Sequence, residues 1–174
     1  MATWLRTSRS DGCVMPDAPR LIYWDSCVFL DYIAGSAKWL PILDSLLDRA
    51  SRTGDMVIVT STISIVEVAF AEAERDRKTL DDSVVAAIDA LWTDRSAVQL
   101  VEFDQLIARE ARRLLRRSME MSRGLKPMDA IHLATASRMH VADCHTTDDR
   151  LQAWNNDLGF PVRDPWTETP KLGL

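Results

Sequence analysis

The feature that most constrains the fold is a repeated alternation between short apolar runs and longer segments with helical periodicity. The apolar runs cover 21–24, 56–60, 97–101, 141–145 and 160–163. Between them, apolar residues recur at helical spacing, as Leu40, Leu43 and Leu47 do. Such alternation is typical of βαβ units with a parallel sheet, and right-handed crossovers place helices on both faces. We therefore predict an α/β fold, a three-layer α/β/α sandwich around a mostly parallel sheet of four to five strands.

The helical segments are predicted at 28–33, 37–50, 62–73, 79–92, 104–122, 128–139 and 148–154. Ser26 is expected to cap the first helix, because a serine hydroxyl can accept a hydrogen bond from a free backbone N–H there. The third helix is expected to bury Ile65, Val68, Ala69 and Ala73 on one side. A chain of 174 residues suits one domain. We expect that domain at 20–165, between a flexible tail at 1–19 and a C-terminal tail at 166–174.

Composition narrows the class of protein. No apolar run reaches the roughly 18 residues of a membrane helix, and residues 1–20 lack the apolar core of a secretory signal. We therefore expect a cytoplasmic protein without a membrane partner. The net charge of −5 argues against a general nucleic-acid coat. Cys13, Cys27 and Cys144 form no C-x-x-C pair, so a disulfide framework or zinc site is not expected, and Cys27 and Cys144 are predicted to be buried thiols.

Four acidic residues stand beside apolar segments. Asp25 follows the first strand, Glu67 lies in the helix after the second, and Asp148 follows the fourth. Asp129 lies in the first turn of the helix before the fourth strand. Ligands of such sheets bind at the carboxyl ends of the strands, so these acids are expected to meet there.

Carboxylates that share one pocket need a counter-charge. Two of them about 4 Å apart repel by roughly 4 kcal/mol at an effective dielectric of 20. Oxygen ligands without nearby cysteine or histidine favour hard cations such as Mg²⁺ or Mn²⁺. Such a site is suited to phosphodiester hydrolysis, because the cation can activate water and stabilise the leaving oxygen.

Four segments resemble the motifs of the PIN-domain family. They are YWDSCVFL at 23–30, Thr60-Ser61 followed by Glu67, KPMDAIHLATA at 126–136, and TTDDRL at 146–151. Each motif alone is a weak signal, but their order and spacing together are fairly specific. The resemblance spans roughly residues 20–163.

The resemblance implies a Mg²⁺- or Mn²⁺-dependent endoribonuclease, with Asp25, Glu67, Asp129 and Asp148 as catalytic and metal-binding residues. It also implies that Ser26 and Thr146 support these acids. Single-domain relatives of this size are often toxins of toxin–antitoxin pairs, the VapC type. We therefore expect an RNA substrate, a small antitoxin partner and a homodimer.

Several alternatives stay open at the level of sequence. Asp25 could simply cap the following helix, and Asp149 competes with Asp148 for the last acidic position. His132 and His145 are interpreted as structural histidines with satisfied hydrogen bonds. The whole domain could be a stand-alone PIN nuclease of RNA processing, or a PIN-like module that binds RNA or a partner without catalysis. A HAD-like phosphatase is disfavoured, because it would need D-x-D where this chain has Asp25-Ser26-Cys27.

A basic stripe follows one side of the helix at 104–122. Its arginines project within an arc of roughly 140°, opposite Ile107, Leu114 and Met119. The stripe could contact RNA phosphates or be a solvated helix face. The candidate RNA-binding residues are Arg109, Arg112, Arg113, Arg116, Arg123 and Lys126.

Overall fold

The computed structural model describes residues 18–93, 96–155 and 157–167. Its strands are β1 (Arg20–Trp24), β2 (Met56–Ser61), β3 (Val98–Val101), β4 (Asp143–His145) and β5 (Val162–Arg163). Its helices are α1 (Ser26–Ile33), α2 (Leu40–Thr53), α3 (Ser64–Glu67), α4 (Glu72–Arg77), α5 (Asp82–Thr93), α6 (Gln105–Glu120), α7 (Pro127–Arg138) and α8 (Asp149–Gln152). Most of the tail predicted at 1–19, with Cys13, and most of the tail predicted at 166–174 lie outside the described residues.

The strands form one five-stranded sheet in the order β3-β2-β1-β4-β5. Every pair of neighbours is parallel. The predicted parallel α/β sheet is therefore confirmed. After β1, the chain adds β2 and β3 on one side of that strand and then adds β4 and β5 on its other side. The reversal between β1 and β4 opens a crevice at the carboxyl ends of these strands, where ligands of open α/β sheets bind.

Alternate residues of the strands supply two separate cores, because successive strand side chains point to opposite faces. Tyr23, Val59 and Cys144 pack with α6 and α7 on one face. Trp24 and Ile58 pack with α1, α2 and α5 on the other. Helices thus cover both faces, as a three-layer sandwich requires. Within the described ranges, no helix has both the length and the apolar character needed to cross a membrane.

The structure corrects the helix predicted at 62–73. The helix α3 ends at Glu67, because Val68 leaves the helical region with φ −92° and ψ 44°. Val68 is buried, whereas Ile65 is 41% exposed, and Ala69 and Ala73 are exposed. The continuous apolar side predicted for this segment is therefore wrong.

Three other predictions also need correction. The cap of α1 is Asp25, whose carboxylate accepts from the backbone N–H groups of Cys27 and Val28, rather than Ser26. On α6, Met119 is exposed and Ser118 takes its place on the buried side. Cys144 is buried as predicted, but Cys27 is only partly buried.

An ion-pair cluster joins β1, β4 and β5. The buried carboxylate of Asp143 pairs with Arg20 and with Arg163. The ring of Trp166 lies 4.2 Å from the Arg163 guanidinium and 5.8 Å from that of Arg20. Trp166 therefore packs on the domain, although the sequence places it in a tail.

Candidate active site

Asp25 lies where β1 ends, at the crevice between β1 and β4. Its Oδ2 accepts a hydrogen bond of 2.7 Å from the Thr146 hydroxyl, which follows β4. Its Oδ1 accepts from the backbone N–H and the thiol of Cys27, at 3.0 and 2.7 Å. Burial raises the pKa of Asp25 above its usual value, against the opposing effects of His132 and these hydrogen bonds. The same carboxylate therefore caps α1 and ties it to the segment that follows β4.

Glu67 ends α3 and is held from two sides. Its Oε2 accepts from the Ser26 hydroxyl at 2.6 Å and contacts Nε2 of His132 at 2.5 Å. Burial would raise the pKa of Glu67, but the hydrogen bonds from His132 and Ser26 outweigh it and leave that pKa below its usual value. Glu67 is therefore ionised at neutral pH and tied to α1 and α7.

Asp129 and Asp148 lie close enough for their charges to interact. Burial raises the pKa of Asp129, and the charge of Asp148 adds to the rise. Asp148 caps α8 and accepts hydrogen bonds from Nε and Nη2 of Arg150, at 3.0 and 2.5 Å. The hydrogen bond from Arg150 lowers the pKa of Asp148. The ionised form of Asp129 is therefore disfavoured, whereas the charge of the neighbouring Asp148 is balanced by Arg150.

Thr146 connects these groups. Its Oγ1 donates to Asp25 and accepts from the backbone N–H of Asp148 at 3.0 Å. A cavity of about 470 Å³ beside it is lined by Cys27, Thr147, Asp148, Asp149 and Arg150. The four predicted acids therefore occur along one edge of the sheet, but within the described part of the chain no three His, Cys, Asp or Glu side chains are grouped closely enough to hold a metal ion.

The donor set fits a hard divalent cation in its chemistry. All four acids offer carboxylate oxygens, and the raised pKa of Asp129 beside Asp148 indicates a place where added positive charge would be favourable. Mg²⁺ needs only one or two protein carboxylates, since water and substrate phosphates complete its shell. Its binding would have to compete with Arg150 for the oxygens of Asp148.

The predicted basic residues occupy three different places. Arg109, Arg112, Arg113 and Arg116 are exposed on α6, with Arg113 paired to Glu110. Arg123 pairs with Asp157 and lies over the ring of Trp154. Lys126 lies near the acids, because its charge lowers the pKa of both Asp129 and Asp148.

Sequence reasoning missed three contributors to this edge. Arg150 lies two residues after the capping Asp148 and pairs with it, a spacing at which helix side chains do not usually face each other. Cys27 was treated as an apolar filler but contacts Asp25 and Thr147. His132 was interpreted as a satisfied structural histidine, and both its nitrogens do have partners. One of those partners is Glu67. The sequence could not show this contact, because the two residues are far apart along the chain.

Comparisons with known proteins agree with this architecture. A family model described as the PIN domain matches residues 22–155. No curated protein sequence matches the chain.

Solved structures with this fold come from several bacteria. VapC20 of Mycobacterium tuberculosis, described as a sarcin–ricin loop cleaving toxin, has a TM-score of 0.56 and 17% identity, with 76% of this chain and 93% of that chain covered. VapBC2 of Rickettsia felis, bound to a promoter DNA fragment, has a TM-score of 0.61 and 10% identity, with coverages of 83% and 98%. FitAcB of Neisseria gonorrhoeae has a TM-score of 0.57 and 18% identity, with coverages of 84% and 99%. These similarities confirm the predicted fold.

Proposed function

The chain belongs to the PIN domain family, and on that premise we propose that it is a divalent-metal-dependent endoribonuclease that hydrolyses RNA phosphodiester bonds. The observation that carries the proposal is the placement of the motif acids along the carboxyl edge of the sheet, beside the crevice between β1 and β4. Asp25, Glu67, Asp129 and Asp148 are the proposed catalytic and metal-binding residues. Mg²⁺ or Mn²⁺, when bound, would supply a Lewis acid that lowers the pKa of water and balances charge on the phosphate.

The residues of the chain have distinct tasks in this proposal. Thr146 and Ser26 hold the carboxylates of Asp25 and Glu67 by hydrogen bonds of 2.7 and 2.6 Å. The partial neutralisation of Asp148 by Arg150 reduces the repulsion that an approaching phosphate would meet. Asp149 lines the same cavity as Asp148 and is a supporting residue. The proposed RNA contacts are Arg109, Arg112, Arg113, Arg116, Arg123 and Lys126.

An RNA cleavage assay tests the proposal. The protein with Mn²⁺ is expected to cut a single-stranded RNA, and an excess of EDTA is expected to stop the reaction. Asp25→Asn and Asp129→Asn each remove a charge but keep the shape of the side chain. We expect each to reduce cleavage at least about 100-fold, since each removes a ligand of the cation that stabilises the transition state.

A matched control is Asp55→Asn, which changes an exposed acid paired with Arg49 at the other end of β2. This variant should cleave RNA like the unchanged protein. Full activity of Asp25→Asn or Asp129→Asn would contradict the site. RNA binding without cleavage by the unchanged protein would favour the non-catalytic module instead.

We further propose that the chain is the toxin of a type II toxin–antitoxin pair and forms a homodimer. The similar structures include a protein described as a toxin and VapBC assemblies. Helix α3, which carries Glu67, also exposes Val66 at 73% and Ile65 at 41%. An inhibitor that covered these two side chains would lie beside Glu67. A small protein encoded next to this chain that binds it and stops its RNA cleavage would support the proposal. Replacing Val66 with Asp should weaken that inhibition.

A further inference from the structure

We propose that Tyr23 and His132 form a hydrogen-bond relay that positions the Glu67 carboxylate for the divalent cation. The inference rests on the proposed function and deepens it. It assigns a role to two buried residues that are not among the motif acids. Both are positioning residues, because they would act through Glu67.

The relay begins at the main chain of β2. The backbone N–H of Ser61 donates a hydrogen bond of 3.2 Å to the Tyr23 oxygen. The single phenol proton is then available to Nδ1 of His132, which lies 2.7 Å away.

In the proposed relay Tyr23 donates to Nδ1, and this assigns one tautomer to His132. Since Nδ1 accepts from Tyr23, a neutral imidazole must carry its proton on Nε2. That proton points to Oε2 of Glu67, at 2.5 Å. The Ser26 hydroxyl donates to the same oxygen. Both bonds end on Oε2, so neither of them occupies Oε1.

Glu67 needs such an anchor because its own helix gives little support. Helix α3 has four residues, and isolated helices of this length are not stable on their own. A glutamate side chain free to change rotamers would lose conformational entropy on binding a cation. Tyr23 is 0% exposed and His132 3% exposed, so the relay ties Glu67 to the interior of β1 and α7.

The first experiment measures Mn²⁺ affinity of the intact chain by calorimetry in the absence of RNA. Tyr23→Phe removes one oxygen, and His132→Leu removes both ring nitrogens. We expect each to raise the Kd for Mn²⁺ by roughly 10-fold, the size of effect usual for residues that orient a metal ligand. His132→Gln should bind Mn²⁺ nearly as well as the unchanged chain, because its amide can accept from Tyr23 and donate to Glu67.

The matched control is Tyr32→Phe. Tyr32 lies in α1 and interacts with Asp44 rather than with the candidate site. This variant loses the same atom and should leave the Kd unchanged. Thermal unfolding of each variant separates a folding defect from a loss of affinity, and Tyr23→Phe keeps the test valid if His132→Leu does not fold.

The second experiment needs no metal. Nitrogen-15 NMR of the histidine rings should show His132 as the Nε2–H tautomer, and Tyr23→Phe should change that tautomer ratio. A His132 ring protonated on Nδ1 in the unchanged protein would overturn the relay. If Tyr23→Phe and Tyr32→Phe bind Mn²⁺ with equal affinity, the relay is also overturned. The nuclease proposal would stand in that case. If the unchanged chain binds no Mn²⁺ and cuts no RNA, both proposals fail.

Discussion

His145 is a buried polar residue without a hydrogen-bond partner on either ring nitrogen, within the part of the chain that the structure describes. The expectation of a satisfied structural histidine therefore fails here, although it holds for His132. Burial lowers the pKa of His145 from 6.5 to about 4. The negative charge of Asp143 opposes this shift, whereas the positive charges of Arg163 and Arg20 add to it. The ring is neutral in the folded protein at pH 7, because burial disfavours its charged form.

This residue predicts a loss of stability in mild acid. The unfolded chain binds a proton at His145 near pH 6.5, whereas the folded chain does so only near pH 4. The free energy of unfolding should therefore fall as the pH drops from 6.5 towards 4. The expected contribution of this residue is roughly 3 kcal/mol at most.

Urea unfolding at pH 7 and pH 4.5 measures the effect. His145→Leu should lose less stability between these two pH values than the unchanged protein. His140→Asn is the control, because His140 is exposed and has a left-handed backbone that asparagine tolerates. The same pH dependence in the unchanged protein and in His145→Leu would contradict this account of the buried ring.

At the scale of elements, α6 separates a packing side from a charged side. Asp104 caps it by accepting from the backbone N–H of Ile107 at 2.8 Å. Ile107, Ala111 and Leu114 are buried against α7 and the sheet. The arginines on the opposite side are exposed, so α6 can be stable without any contribution from them. Their concentration on one helix of an acidic protein is the feature that favours an RNA-binding role.

A triple variant tests that role of α6. Replacing Arg112, Arg113 and Arg116 with Ala should weaken RNA binding and reduce the slope of log K against log salt by roughly 0.7 for each phosphate that the variant no longer neutralises. The control replaces Arg52, Arg75 and Arg77 with Ala, which changes the net charge equally on other helices. Equal salt slopes for the two triple variants would show that the α6 stripe is only a solvated face.

Some features of the helices and strands could be predicted from the sequence and others could not. The strands and most helices followed from apolar periodicity, and the motif acids followed from their positions at strand ends. The break after Glu67 could not be predicted, because the apolar pattern of 65–73 is compatible with a longer helix. The bond between His132 and Glu67 could not be predicted either, since 65 positions separate the two residues and only the folded sheet brings them together.

For the whole molecule, the strand order determines which edge of the sheet carries the motif acids. β1 is the central strand of the sheet, with β2 on one side and β4 on the other. The strand that Asp25 follows therefore lies between the strand that precedes Glu67 and the strand that precedes Asp148. The segments that bring in Glu67 and Asp129, α3 and α7, both lead to the same edge. The central claim is that a divalent cation binds at this edge and takes its protein ligands from these four carboxylates.

Paramagnetic broadening by Mn²⁺ tests this claim most directly. Carbon-13 NMR of the side-chain carboxyl groups would be recorded while small amounts of Mn²⁺ are added. We predict that the signals of Asp25, Glu67, Asp129 and Asp148 broaden before that of the exposed Asp55, which lies at the opposite end of β2. Broadening that spreads over the exposed acids, while the four signals at the sheet edge stay sharp, would contradict the account.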